Sequence, residues 1–247
     1  MPDAERDGRT IHYEREGGGP ELLFVPGWCC DESFFAPQFE HFKRTHTVTT
    51  LDMRWAAHDI SVLADEIAWF CGEVGIERPV VIGHSLGGMI VIELGARYPK
   101  LARALVANDP GPIHLTELAR YIFTGFAAQM AGPAGEDVRR AWVSHVGPTA
   151  SDEVRNHIVE SMSAVPLETA RALIEHVAMW NGPAALNLCE TPLLIIVTGV
   201  GGSNDPVRLR AINPGVRFGM TVGSGHFNQL EVPEQVNAMI ERFLDLV

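Results

Sequence analysis

The chain has 247 residues, 46% hydrophobic and 20% charged, which is enough to bury one large core and fits a single α/β domain with an insertion better than two domains. A formal charge of −12 and a pI of about 5.2 argue against nucleic-acid or anionic-membrane partners, because both draw on Lys and Arg clusters and none is visible. The opening MPDAERDGRT is charged where a signal peptide needs an apolar stretch, and no apolar run approaches the ~18 residues of a membrane span. A cytoplasmic protein acting on a small molecule is expected.

In chain order, Thr10–Arg15 and Glu21–Val25 read as strands joined through Gly17-Gly18-Gly19-Pro20 in a hairpin. Val48–Asp52, Val80–Gly83, Ala102–Asn108, Leu193–Thr198 and Arg217–Val222 supply further strands. Ile60, Leu63, Ala64, Ile67, Ala68, Cys71 and Val74 fall at helical spacing, as do Val236, Met239, Ile240, Phe243, Leu244 and Val247, with Pro233 at a helix start where its missing N–H costs nothing. Strands alternating with helices predict the α/β class, a mostly parallel sheet covered on both faces.

From Ile113 to Leu188 the alternation breaks into helices separated by Gly132-Pro133, Gly147-Pro148, Val165-Pro166 and Gly182-Pro183. This stretch is expected to be an inserted helical cap, residues 113–188, leaving 1–112 and 189–247 as the core. Its Tyr121, Phe123, Phe126, Met130, Trp142, Met162, Met179 and Trp180 are expected mainly to pack, with a minority lining a pocket. Cys29, Cys30, Cys71 and Cys189 form no C-x-x-C pair, so reduced thiols are expected, with no metal, disulfide or cofactor.

The chemistry centres on Pro79-Val-Val-Ile-Gly-His-Ser85-Leu-Gly-Gly-Met, a buried strand passing through one residue into a helix. Such a turn strains its central residue, needs small neighbours at Gly83 and Gly87, and lifts the Ser85 hydroxyl clear of the sheet as a nucleophile. With 24 glycines in the chain, a chance Gly-x-Ser-x-Gly is expected only about 0.08 times. Ser85 needs a base, and His226, in the small-residue loop Val222-Gly-Ser-Gly-His-Phe, lies beyond the last strand on the same sheet edge. His84 points the other way along the strand and is expected to pack or give polar support.

Two preorganised N–H donors would hold an oxyanion: Leu86, after the nucleophile, and Trp28, after the tight Gly27 turn that follows the strand Glu21–Val25. For the acid that orients His226, two positions compete. Asp109 stands directly at a strand end, 24 residues beyond Ser85, and Asp205 follows a long Gly-rich loop after Thr198. The rigid strand end favours Asp109, although Asp before Pro-Gly also serves as a turn cap.

Val25-Pro-Gly-Trp-Cys, Gly-His-Ser85-Leu-Gly-Gly and Gly-His226-Phe, in this order and at these strand ends, resemble the capped α/β-hydrolase superfamily over nearly the whole chain. The resemblance implies an eight-stranded sheet, an acyl-enzyme mechanism and a pocket between sheet and cap. The Pro-Gly-Trp-Cys turn and early acid also resemble the cofactor-free 3-hydroxy-4-oxoquinoline dioxygenases, but those carry histidines where this chain has Leu86 and Cys30. The loop after Leu51-Asp-Met-Arg54 is several residues shorter than is usual in the superfamily, which leaves open a site more exposed on that side or residues missing from the sequence. The expectation is a serine hydrolase of a small, mostly apolar ester, lactone or thioester. The alternatives are a cofactor-free dioxygenase of a hydroxyquinolone-like heteroaromatic and a hydrolase-fold receptor or binding module.

Overall fold

A computed structural model describes residues 2–53, 55, 57–146, 149–199 and 203–247. Its eight strands are β1 (Asp3–Arg6), β2 (Arg9–Gly17), β3 (Glu21–Val25), β4 (Thr47–Asp52), β5 (Val80–His84), β6 (Ala104–Asn108), β7 (Leu193–Thr198) and β8 (Arg217–Thr221). They form one sheet in the order β1-β2-β4-β3-β5-β6-β7-β8, antiparallel across β1/β2 and β2/β4 and parallel elsewhere. The carboxyl ends of β3 and β5 to β8 therefore share one edge, where open α/β sheets bind their ligands.

The hairpin expected between Thr10–Arg15 and Glu21–Val25 is not formed: β2 pairs with β4, and β3 lies between β4 and β5. The physical reason is burial. Leu22 to Val25 are wholly inaccessible on both faces, which only a central parallel strand provides, whereas β2 carries a polar residue at most positions and is largely half-exposed. The hairpin present instead joins β1 to β2 through Asp7-Gly8, both at positive φ, as tight antiparallel turns require. The strand expected from Ala102 begins at Ala104, and that expected to Val222 ends at Thr221.

The helices of the core are α1 (Ala36–Phe42), α2 (Ile60–Val74), α3 (Leu86–Arg97), α9 (Pro206–Ile212), α10 (Asn228–Glu231) and α11 (Pro233–Leu244); between β6 and β7 come α4 (Glu117–Met130), α5 (Gly135–Val146), α6 (Asp152–Ala164), α7 (Leu167–Met179) and α8 (Gly182–Leu188). Strand alternation sorts the core in two. Leu22, Phe24, Ile82 and Val106 face α1 and α11, and Leu23, Val25, Val81 and Leu105 face the other side with α2 and α3. Asp59 caps α2 by accepting from the Ser61 and Val62 amides, and Gly75 ends it in the left-handed conformation.

Among the aromatic and methionine residues of the inserted helices, Phe126, Met130, Met162 and Trp180 are buried, while Tyr121 and Met179 are exposed at 76% and 64% and do not pack as expected. The Gly182-Pro183 pair marks the break after α7 by opening α8; Gly147-Pro148 lies outside the described residues, as do Arg54 and Ala56 of the short loop. Among the described residues, no helix is long and apolar enough to cross a membrane.

Candidate active site

The turn between β5 and α3 has the strain its sequence requires. Ser85 sits at φ 54, ψ −115, a region that costs a non-glycine residue of order 1–3 kcal/mol unless its surroundings hold it. A Cβ at Gly83 would lie 2.2 Å from the Gly87 carbonyl oxygen, and one at Gly87 would lie 2.2 Å from the Val25 oxygen. The absence of both side chains lets the helix start this close to the strand. The Ser85 amide donates to Asn108 O at 3.1 Å, and its carbonyl accepts from Met89 and Gly111 at 3.2 and 3.1 Å, so the elbow is tied to the end of β6.

The structure brings Ser85, His226 and Asp109 together. His226 Nε2 is 2.9 Å from Ser85 Oγ, and His226 Nδ1 is 2.6 Å from Asp109 Oδ2. With the Nδ1 proton donated to the carboxylate, Nε2 is bare and accepts from the serine hydroxyl. Asp109 is 4% exposed, and its second oxygen accepts from the Thr198 amide and hydroxyl at 3.2 and 3.3 Å, so the buried charge is met on both sides. Asp205 is elsewhere: its carboxylate accepts from Val207 N at 2.9 Å and caps α9.

His84 is fully buried and donates through Nε2 to the His226 carbonyl at 2.8 Å, the polar support expected of it. Burial, with His226 adding to the effect, holds its pKa well below the ordinary imidazole value. Its Nδ1, without a partner, faces the backbone of Gly27, where a Cβ would come within 3.0 Å of it and 3.2 Å of Ser85 Cβ. Gly27 is needed for this close approach.

The left-handed residue of the following turn is Cys29, at φ 56, with Cys30 N donating to Gly27 O at 3.0 Å. Because N–H and C=O of a trans peptide point in opposite directions, that bond aims the Trp28 N–H the other way. Among the described residues, neither the Trp28 nor the Leu86 amide has a hydrogen-bond partner, and Leu86 opens α3, where the helix dipole favours negative charge. The Trp28 indole donates to Ala170 O of α7 at 2.8 Å, tying this turn to the inserted helices.

These groups open on a cavity of about 260 Å³, walled by Trp28, Cys30, Leu86, Met89, Pro112 and Phe227 from the sheet edge and by Phe123, Trp142, Met162, Ile174 and Val177 from α4 to α7. No Lys or Arg is among its described lining residues. Cys29, Cys30, Cys71 and Cys189 are all buried free thiols; burial raises every one of them, Cys189 to about 11 and Cys71 to about 12. Thr198 and Glu231 were not singled out by sequence. Glu231 accepts from the Gly225 and Phe227 amides at 2.9 and 3.1 Å, gripping the peptide on either side of His226. The available signal was a lone carboxylate five residues beyond the histidine.

A family model described as the alpha/beta hydrolase family matches residues 22–239. This chain belongs to that family. It is 24% identical over 259 residues to the dihydrolipoyllysine-residue acetyltransferase component of the acetoin cleaving system of Cupriavidus necator, covering 98% of this chain and 68% of that one. It is also 24% identical over 243 residues to a pimeloyl-(acyl-carrier protein) methyl ester esterase of Shewanella woodyi, covering 93% and 91%. The enol-lactonase from Burkholderia xenovorans LB400 aligns with a TM-score of 0.86 over 99% of this chain and 100% of its own, at 17% identity, a likeness of fold.

Proposed function

We propose that this member of the alpha/beta hydrolase family is a serine hydrolase that cleaves a small, mostly apolar ester, lactone or thioester through an acyl-enzyme. The observation that carries the reading is the continuous chain Ser85 Oγ, His226, Asp109, at 2.9 and 2.6 Å, opening on an apolar cavity. His226 takes the Ser85 proton as the oxygen attacks the carbonyl carbon, and Asp109 holds the imidazole in the tautomer this needs. The Trp28 and Leu86 amides hold the oxyanion. His226 returns the proton to the departing alkoxide or thiolate, then deprotonates a water that releases the acyl group. Residues 113–188 act as the cap that closes the cavity and sets acyl size.

The dioxygenase reading draws no support from the matched proteins. Leu86 and Cys30 stand where that chemistry places histidines. The test is a panel of p-nitrophenyl esters, lactones and acyl thioesters, run beside a hydroxyquinolone with dissolved oxygen monitored. Hydrolysis of short neutral acyl substrates without oxygen uptake is expected. Oxygen consumption, or binding without turnover, would replace this reading with the dioxygenase or the binding module.

A further inference from the structure

Asp109 is held in an unfavourable conformation, and its neighbours show what holds it. Its φ is 38, in the left-handed region where a non-glycine residue persists only if the surroundings over-determine it. From the sheet side, the Asp109 amide donates to Ile196 O at 2.7 Å, and Gly111 N donates to Ser85 O at 3.1 Å. On the other side, the turn leaves the carbonyls of Pro110 and Gly111 and the amide of Ile113 to be satisfied, and buried backbone groups demand partners.

A single side chain meets all three. Asn204 Nδ2 donates to Pro110 O at 2.8 Å and to Gly111 O at 3.4 Å, and Asn204 Oδ1 accepts from Ile113 N at 2.9 Å. The amide is matched to this task, since it offers two donors and an acceptor in one plane. A carboxylate at the same position would keep the bond to Ile113 but set negative charge against two carbonyl oxygens. Asn204 comes from the loop after β7, the loop of the rival acid Asp205, which instead caps α9.

We infer that Asn204 is a positioning residue: from the β7 loop it clamps the 110–113 turn and so holds Asp109 Oδ2 on His226 Nδ1. The inference rests on the assignment of Asp109 and His226 to one catalytic unit. It makes the division of labour in this chain explicit, with the β6 end supplying the carboxylate and the β7 loop supplying the amide that fixes it.

Asn204→Ala and Asn204→Asp are compared with wild type and with Asp205→Asn, a control from the same loop. Each is measured by the low-field proton NMR resonance of His226 Nδ1–H, by kcat and KM on p-nitrophenyl butyrate, and by Tm. The clamp predicts that both Asn204 variants lose or broaden the resonance and lower kcat on the order of 10- to 100-fold, the scale of a small misplacement of a catalytic group. KM should stay within about threefold, and Tm should fall further than in Asp205→Asn, because three backbone groups lose their side-chain partner. A resonance and kcat kept at wild-type values, a kcat loss matched by Asp205→Asn, or a kcat loss seen only at temperatures where the variant has begun to unfold would overturn it. The resonance reports the Asp109 to His226 bond without any substrate, so absent ester turnover in the wild type would refute the hydrolase reading while leaving the clamp decided by the spectrum.

Discussion

Asp109 Oδ2 lies 2.6 Å from His226 Nδ1 although 117 residues separate them in sequence. The contact comes from two strand ends on one sheet edge, β6 directly and β8 through a five-residue approach. Asp109→Asn is therefore expected to leave the fold intact and lower kcat by as much as ~10⁴-fold, because an amide that donates to Nδ1 imposes the wrong tautomer. Asp205→Asn exchanges one good helix cap for another and is expected to change kcat less than about twofold. Steady-state kinetics of the two variants checks both, and the reverse ranking would move the acid to Asp205.

The elbow gives a stability prediction of opposite signs at two glycines. Gly83→Ala places a Cβ 2.2 Å from a backbone oxygen that has no room to move, at an expected cost of at least ~3 kcal/mol. Gly72 is exposed in α2 with nothing within 4 Å of its added Cβ, so Gly72→Ala is expected to gain about 0.5–1 kcal/mol. Urea unfolding of each variant measures both.

His84 links pH to stability. Its folded pKa is held well below the ordinary 6.5 by burial and by His226, so below about pH 6.5 the unfolded chain binds a proton that the folded chain refuses. The stabilisation is fully present above pH 6.5 and is lost as pH falls beneath it, at up to ~1.4 kcal/mol per pH unit from this one group. Between pH 6.5 and 5.5 the wild-type urea midpoint should fall more steeply than that of His84→Gln, which keeps a donor for the His226 carbonyl. Equal slopes would remove His84 from the account.

Much of this was legible in the sequence, and for identifiable reasons. Val80–Gly83 running through Ser85 into Leu86 announced the elbow because only glycine fits at positions 83 and 87. Asp109 was visible because it ends a strand with no loop to traverse. The pairing of β2 was misread because a Gly-rich connection suits a hairpin, and the decisive contrast lay in burial: Leu22 to Val25 have no polar face, whereas β2 is polar along its length. β1 went unread because Asp3–Arg6 is too polar to signal a strand. Thr198 and Asn204 act through hydrogen bonds between segments far apart in sequence, and no local pattern encodes such meetings; Glu231 grips the nearby Gly225 and Phe227, but a lone carboxylate near a histidine is too common a pattern to single out.

Whether Ser85 is a nucleophile activated by His226 is decided by incubating the native protein with a fluorophosphonate probe, locating the adduct by mass spectrometry, and following ester turnover in the same sample. One adduct is expected, on Ser85, formed in step with the loss of turnover, absent in Ser85→Ala, and slowed by at least ~10³-fold in His226→Ala, with Ser85→Ala turnover reduced by at least ~10³-fold. An adduct on another residue, or a Ser85→Ala protein that keeps more than half of its activity, would contradict a Ser85 nucleophile.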